Sequence, residues 1–128
     1  MSLIVQTISS SASQVFGAKT FKKINAANLS SDAATLSLYY TGRISIPPGV
    51  GRNTGTTYLD ETKTFYIVKN LSIDAGKSAI VLEGGLDFRD VKYYDSNGLL
   101  YKMSDVKLNA ETGTGLVDLI IELNYDYD

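Results

Sequence analysis

The stretch TFYIVKNLSIDAGKSAIVL, residues 64–82, decides the fold that we expect. It holds two apolar runs rich in β-branched and aromatic residues, at 65–68 and 79–82, on either side of a polar break. The break carries Gly76, and glycine adopts positive φ without steric cost where a chain reverses. Before the break, Ile73 is a single apolar residue between polar neighbours. The pattern predicts a strand, a short anchored crossing and a second strand.

Outward from this stretch, further segments alternate apolar and polar residues with the period of a strand. Residues 35–40 place Leu36, Leu38 and Tyr40 on one face. Residues 116–125 have one apolar face and one face that is mostly polar, where Ile120 is the apolar exception. Shorter strands are predicted at residues 3–8, 19–27 and 105–108. The segments 19–27 and 35–40 look like a hairpin or a Greek-key neighbour pair.

Several turns are marked by their residues. Asn97-Gly98 separates the apolar runs 91–94 and 99–103. A type I′ turn needs positive φ at both central residues, so this Asn-Gly pair predicts a β-hairpin. Further turns are predicted at residues 28–32 and 111–115.

The fold class follows from these patterns. At 128 residues the chain has the size of one domain. No segment keeps an apolar 3.6-residue period for three turns, so helix is limited to a turn or two, at 11–16 or 32–35. Strands at regular spacing with Gly-rich turns predict an all-β fold, an antiparallel β-sandwich or jelly roll.

The N-terminal segment, residues 1–18, is predicted to be a strand followed by a Ser-rich linker, and residues 19–128 form the sandwich. Two interpretations of the first strand stay open. It could be an arm added to the sheet of a neighbouring subunit, or simply the first strand of its own sheet.

Residues 42–57, GRISIPPGVGRNTGTT, contain both prolines and four glycines, which argues against a helix or a central strand. We expect a long loop, in which Ile44-Ser45-Ile46 pairs only briefly. Long loops in compact domains are often functional, although a flexible excursion without a role is the alternative. The expected contact residues of the N-terminal segment and of this loop are Leu3, Ile4, Val5, Arg43, Ile44, Ile46, Arg52, Asn53 and Tyr58.

Composition argues against several function classes. The chain has no His and no Cys, which removes Ser-His and Cys-His nucleophiles, disulfides and the usual zinc ligands. We therefore expect no enzyme, no cofactor and no metal. Four carboxylates could form a glycosidase pair only if the fold brought two of them together, and the sequence gives no reason to expect this: Glu61, Glu83, Asp87 and Glu122.

Charge and hydropathy indicate which partners to expect. The formal net charge is −2 and only three of the 12 basic residues are Arg, so nucleic acid is not an expected partner. No secretory signal is visible at the start, and no apolar run approaches the ~20 residues that span a bilayer. We expect no membrane contact and a soluble chain made in a cytoplasm.

Tyrosine is the enriched aromatic residue, with nine Tyr against no Trp. Tyrosines recur at the predicted strand ends: Tyr39, Tyr40, Tyr93, Tyr94, Tyr101, Tyr125 and Tyr127. There the ring can pack while the hydroxyl stays in water, which suits an interface, although some of them could simply cap the core. Exposed rings also serve sugar-binding sites, which often use Trp.

Three segments together resemble small virion structural proteins of tailed bacteriophages: NLSSDAATLSLY (residues 28–39), FYIVKNLSIDAGKS (65–78) and VLEGG (81–85). The likeness covers residues 20–125, and residues 42–57 depart from the short form of the pattern. The resemblance implies a β-sandwich particle component found in the virion and made in the host cytoplasm.

Within a virion, the resemblance favours a capsid decoration (cement) protein that binds the assembled shell as a symmetric oligomer. Its partners would then be copies of itself and the major capsid protein. A neck or tail component is the alternative. Two other classes stay open, a carbohydrate-binding β-sandwich and a carboxylate-based hydrolase.

Overall fold

Ten β-strands and one short 3-10 helix account for most of the chain in a computed structural model that describes residues 2–124. No helix of these residues is long and apolar enough to cross a membrane. The strands are β1 (Ser2–Ile8), β2 (Gln14–Phe16), β3 (Thr20–Ala27), β4 (Ala34–Ile46), β5 (Leu59–Ile73), β6 (Ser78–Asp87), β7 (Lys92–Tyr94), β8 (Leu100–Lys102), β9 (Ser104–Thr114) and β10 (Val117–Leu123), and the helix is Phe88–Asp90.

The strands form two four-stranded antiparallel sheets. Sheet I has the order β1-β10-β3-β6, and sheet II has the order β2-β9-β4-β5. The connections β1–β2, β3–β4, β5–β6 and β9–β10 each pass from one sheet to the other, which is a jelly-roll arrangement. β7 and β8 form a separate hairpin between β6 and β9. The predicted all-β sandwich of jelly-roll type is confirmed.

The core lies between the two sheets and follows the predicted alternation. In β10 the apolar face is Val117, Leu119, Ile121 and Leu123, each at most 5% exposed. Leu36 and Leu38 of β4 face it from sheet II with no exposed surface. These side chains pack because the period of two in a strand places every second residue on the inner face.

A chain of aromatic contacts closes one end of the core. The ring of Phe88 lies 5.3 Å from Phe21 in sheet I and 5.3 Å from Tyr40 in sheet II. Tyr40 in turn contacts Phe65 at 5.4 Å, and Phe65 contacts Tyr93 of the hairpin at 6.0 Å. The short helix therefore joins both sheets to the hairpin.

The stretch from residue 64 to residue 82 links the two sheets. β5 continues to Ile73, which is buried, so the predicted separate crossing is the end of that strand. The chain then reverses at residues 74–77, where Gly76 has φ 72°, and it enters sheet I as β6. The predicted turn is confirmed, and it is a change of sheet.

Asn28 holds this turn from the neighbouring connection. Its backbone N–H donates to the carbonyl of Lys77 and its carbonyl accepts from the N–H of Gly76. Its side chain is fully buried, and Nδ2 donates to the carbonyls of Asp32 at 2.8 Å and Ile73 at 2.9 Å. One residue thus ties the β3–β4 connection to the β5–β6 turn.

The hairpin of β7 and β8 is confirmed, but its turn type is not the predicted one. Between Tyr94 and Leu100 lie five residues, and among the central ones only Gly98 has positive φ. The Asp95 carboxylate accepts from the N–H groups of Asn97 and Leu99, each at 2.9 Å. The Asp95 carboxylate thus holds the turn closed, and positive φ is needed only at Gly98.

Other local expectations are wrong for reasons of pairing. β3 and β4 lie in different sheets and form no hairpin. β9 continues to Thr114 because it pairs with β4 along its length, so the expected turn at 111–115 shrinks to a reversal at Gly115. Neither expected helical turn forms. In the first segment, 11–16, β2 occupies Gln14–Phe16, and the second segment, 32–35, leads into β4.

The N-terminal strand is the first strand of its own sheet. β1 pairs antiparallel with β10 from Ser2 to Ile8, and Thr7 Oγ1 donates to Asp118 Oδ1 at 2.6 Å. Of the two interpretations of the first strand, the described chain thus has the strand in its own sheet, and a contact of residues 1–18 with a neighbouring subunit stays a prediction. β1 belongs to sheet I and β2 to sheet II, so both are part of the sandwich.

Candidate interaction surfaces

The expected loop at residues 42–57 is shorter and more ordered than its composition predicts. β4 extends through Ile46, so the connection to β5 covers residues 47–58. Ile44 and Ile46 are 1% and 2% exposed and belong to the core. They alternate with Arg43 and Ser45 on the outer face. The prediction that these two isoleucines contact a partner is therefore wrong.

Asn53 holds the loop at residues 47–58 in the way that Asn28 holds the β5–β6 turn. Its Nδ2 donates to the carbonyls of Ile46 and Thr57, each at 2.8 Å, and its Oδ1 accepts from the N–H of Gly55 at 3.1 Å. The residue is 6% exposed. Asn53 is therefore a structural residue, and its assignment as a contact residue is wrong.

The loop packs against the β7–β8 hairpin of the same chain. Gly51 has φ 55°, and a Cβ atom added there would lie 3.1 Å from the hydroxyl oxygen of Tyr101. Arg52 forms an ion pair with Glu61, which also pairs with Lys63 at 3.1 Å. The recess between loop and hairpin, lined in part by Arg52, has about 40 Å³, room for roughly one water molecule. The loop is thus held by its own chain.

Three residues of the expected loop contacts remain at the surface. Arg43 is exposed and pairs with Asp105 at 3.2 Å, and Arg52 is engaged as described. Tyr58 is 65% exposed. Each guanidinium group has an ion pair within the chain, and both Arg side chains are still more than half exposed, so all three residues are accessible to a partner.

The expected N-terminal residues divide between the two faces of sheet I. Leu3 and Val5 lie on the outer face and are 58% and 66% exposed, whereas Ile4 is half-buried and packs against the core. Val5 is the Cα partner of Ile120, Ile120 of Asn25, and Asn25 of Ile80. These four residues form a line across all four strands, which we call the apolar row.

The apolar row is exposed along most of its length. Ile120 is 37% and Ile80 is 55% exposed. They line a shallow groove of about 530 Å³ with Lys23 and Asn25. The Oδ1 atom of Asn25 is buried there without a hydrogen-bond partner. Neighbouring exposed apolar side chains are typical of protein contact surfaces.

A charged row lies beside the apolar row. Leu3 is the Cα partner of Glu122, Glu122 of Lys23, and Lys23 of Glu83. Glu122 also pairs with Lys22 at 3.7 Å. The two carboxylate residues are two strand spacings apart, about 10 Å between Cα atoms. Sheet pairing therefore brings together two of the four carboxylates considered above, with a lysine between them.

The outer face of sheet II carries a tyrosine pair, Tyr39 and Tyr66. Their ring centroids are 5.2 Å apart, Tyr66 is 47% exposed, and Lys69 Nζ lies 5.0 Å from the centroid of its ring. Burial and then the nearby Glu111 carboxylate raise the pKa of Tyr39. Its hydroxyl is therefore protonated at neutral pH and can donate a hydrogen bond.

The other described tyrosines differ in burial. Tyr40, Tyr93 and Tyr101 contribute to the core, whereas Tyr58 and Tyr94 are exposed, and an interface role for the exposed rings stays a prediction. The remaining two at the C-terminus, at positions 125 and 127, lie outside the described residues.

The apolar row was missed by sequence reasoning because its members come from four distant segments. Val5 was among the expected contact residues, and Ile120 stood out as an apolar residue on the polar face of the last strand, but the sequence did not connect the two. Residues 2–124 contain no group of three or more carboxylates placed to hold a metal ion. Comparison of the chain with protein-family models, with curated proteins and with solved structures found no match.

Proposed function

We propose that this chain is a structural subunit of a tailed-bacteriophage virion, a decoration protein that binds the assembled capsid shell as a symmetric oligomer. Its partners are further copies of itself and the major capsid protein. The segments at 28–39, 65–78 and 81–85 support this function by their resemblance to small virion proteins. The jelly-roll arrangement adds support, since this fold occurs in viral capsid proteins, although lectins and cupins also have it.

The observation that carries the proposal is the apolar row on sheet I. Val5, Ile120 and Ile80 are each more than a third exposed on the outer face of sheet I. Exposed apolar side chains that continue across the strands of a sheet are typical of a surface that contacts another protein. Many copies on a lattice would bind firmly even if each contact were weak.

We propose no catalytic role. The sequence lacks His and Cys. Of the carboxylates considered, Glu61 is held by two cations and Asp87 is held by Arg89. Glu83 and Glu122 lie on the outer face of sheet I with Lys23 between them, and Glu122 also forms an ion pair with Lys22.

The test is to locate the chain in purified particles of the phage that encodes it. Mass spectrometry should find it in virions, and antibody-gold labelling should mark the whole head surface at many sites. Labelling confined to one vertex or to the tail would replace the decoration function by the neck or tail alternative. Absence of the chain from purified virions would refute the virion function altogether.

A carbohydrate-binding function is the second candidate, favoured by the tyrosine pair on sheet II. The exposed ring of Tyr66 lies beside the ring of Tyr39 and the ammonium group of Lys69. If this face binds sugars, a glycan array should give signals that Tyr66→Ala abolishes. Tyr94→Ala is the matched control, because Tyr94 is also exposed but lies on the hairpin. Equal signals from both variants would exclude a site at the tyrosine pair.

A further inference from the structure

Four strands form the edges of the two sheets, and three of them carry features that block pairing with another strand. β5 has Asp60, Glu61, Lys63 and Lys69, and β6 has a break at Gly84 and Gly85 with φ 93° and 89°. β2 has only three residues. Charges, irregular backbone and shortness are the usual protections of an edge strand.

β1 has none of these protections. Its seven residues, SLIVQTI, include no charge, no Pro and no Gly, and its backbone pairs with β10 without a register shift. No strand of residues 2–124 lies on its other side. Alternate residues of such a strand direct N–H and C=O groups outward, where they can bind another strand. β1 is therefore the edge of this molecule that is suited to strand addition.

We infer that β1 pairs with β1 of a second copy of this chain, antiparallel and about a two-fold axis at Val5. Val5 is the middle residue of Ser2–Ile8, so this register pairs all seven residues. It places Val5 opposite Val5 and Leu3 opposite Thr7, all on the outer face. The two copies of sheet I then form one eight-stranded sheet.

Charge does not oppose a second copy. In this register only Val5 faces its own equivalent, and β1 carries no charge, so no like charges meet where the two strands pair. The nearest carboxylates lie on β10, where Asp118 of one copy would face Glu122 of the other across three strand spacings. That separation is about 14 Å, beyond the Debye length of roughly 8 Å at physiological salt.

The apolar row also supports pairing with a second copy. Across the two-fold axis it becomes continuous, in the order Ile80, Asn25, Ile120, Val5 and then the same residues of the second copy in reverse. Each Val5 gains the other Val5 as a cross-strand neighbour, and such β-branched pairs stabilise a sheet. The pairing thus makes one long apolar surface out of two short ones.

The contact is small, since one strand of seven residues buries less than the ~1,200 Å² of a standard interface. The dimer is therefore weak in dilute solution and gains strength where copies are held together. The pairing deepens the proposed function, on which it rests, by naming the contact between subunits. It can nevertheless be measured on the isolated chain.

Single cysteines provide the test, because the chain has no other thiol. Paired residues in an antiparallel sheet have Cα atoms ~4.5–5.5 Å apart, within the ~4.4–6.8 Å that a disulfide spans. Val5→Cys should therefore form a covalent dimer under mild oxidation. Leu3→Cys alone should not, since the two copies of residue 3 are about 14 Å apart in this register. A mixture of Leu3→Cys and Thr7→Cys should form the mixed dimer.

Val15→Cys is the matched control, since Val15 is exposed on the edge strand β2. We expect at least tenfold more dimer from Val5→Cys than from this control at equal concentration. Val5→Lys, which sets two ammonium groups opposite each other, should sediment as a monomer where the unchanged chain dimerises. All variants change exposed side chains, and unchanged melting temperatures confirm that they fold.

Equal dimer yields from Val5→Cys and Val15→Cys would overturn the pairing, and so would self-cross-linking of Leu3→Cys as strong as that of Val5→Cys. The two proposals fail separately. A chain that is present in virions but gives no specific Val5→Cys dimer refutes the pairing alone. A specific dimer from a chain that is absent from virions refutes the virion function and leaves the pairing standing.

Discussion

Replacing Asn28 by Ala should be among the most damaging single changes to this protein. The carbonyl of Ile73 would lose its buried donor from Asn28 Nδ2, whereas the carbonyl of Asp32 would keep its bond from Ser30 Oγ at 3.0 Å. An unsatisfied buried polar group costs about 1–3 kcal/mol, and each ordinary hydrogen bond contributes about 1 kcal/mol. The substitution removes the bonds to Ile73 and Asp32 and the acceptor for the N–H of Ser30.

The orphaned Ile73 carbonyl and the two other lost bonds add to about 3–5 kcal/mol, against a total stability of ~5–15 kcal/mol for a domain. For a chain of this size the melting temperature should fall by roughly 10–20 °C. Urea unfolding followed by circular dichroism measures the loss directly. Asn97→Ala is the control, because Asn97 is exposed in the hairpin turn and should change stability by less than about 0.5 kcal/mol. Equal stabilities of the two variants would refute the assignment of Asn28 as the residue that holds the two connections together.

Three further changes test other parts of the structure. Ile121→Asp buries an unpaired charge between the sheets, so it should lower stability by more than about 4 kcal/mol or prevent folding. A melting temperature within error of the unchanged chain would contradict the burial of Ile121 in the core. Gly51→Val forces a β-branched residue to φ 55° against Tyr101, so limited proteolysis should cut the loop at residues 47–58 faster than in the unchanged chain; equal cleavage rates would contradict the packing. Hydrogen bonds from Arg89 lower the pKa of Asp87 from 3.8 to about 2, so this carboxylate stabilises the fold above pH 4 and loses that contribution as the pH falls towards 2. The stability difference between the unchanged chain and Asp87→Asn should shrink over that range, and a difference independent of pH would contradict the pairing.

The sequence was sufficient for features that depend on local pattern. Alternation in the last strand identified Val117, Leu119 and Ile121 as core residues, and Asn97-Gly98 located the hairpin. Period-two alternation reports which residues share a face, because it is a property of one strand alone. It carries no information on which strand lies next to it.

Pairing between distant segments therefore could not be predicted from the sequence. The apolar row could not be seen because Val5, Ile80 and Ile120 become neighbours only through sheet order. The loop at residues 42–57 was misjudged for a related reason. Its Gly and Pro content indicated mobility, whereas the hydrogen bonds of one buried asparagine, Asn53, give it a fixed shape.

The pairing of β1 with β10 has a consequence for how the chain is made. The partner of Ile8 is Val117, so more than a hundred residues must be synthesised before the first strand can enter its sheet. At ~5–20 residues per second a ribosome needs roughly 5–20 s for that interval. During that time an uncharged, apolar strand is unpaired along both sides, and homotypic contacts between nascent chains compete with the native one. Sheet I can thus close only late, and we expect refolding in milliseconds to seconds, as is usual when non-local strand pairs dominate.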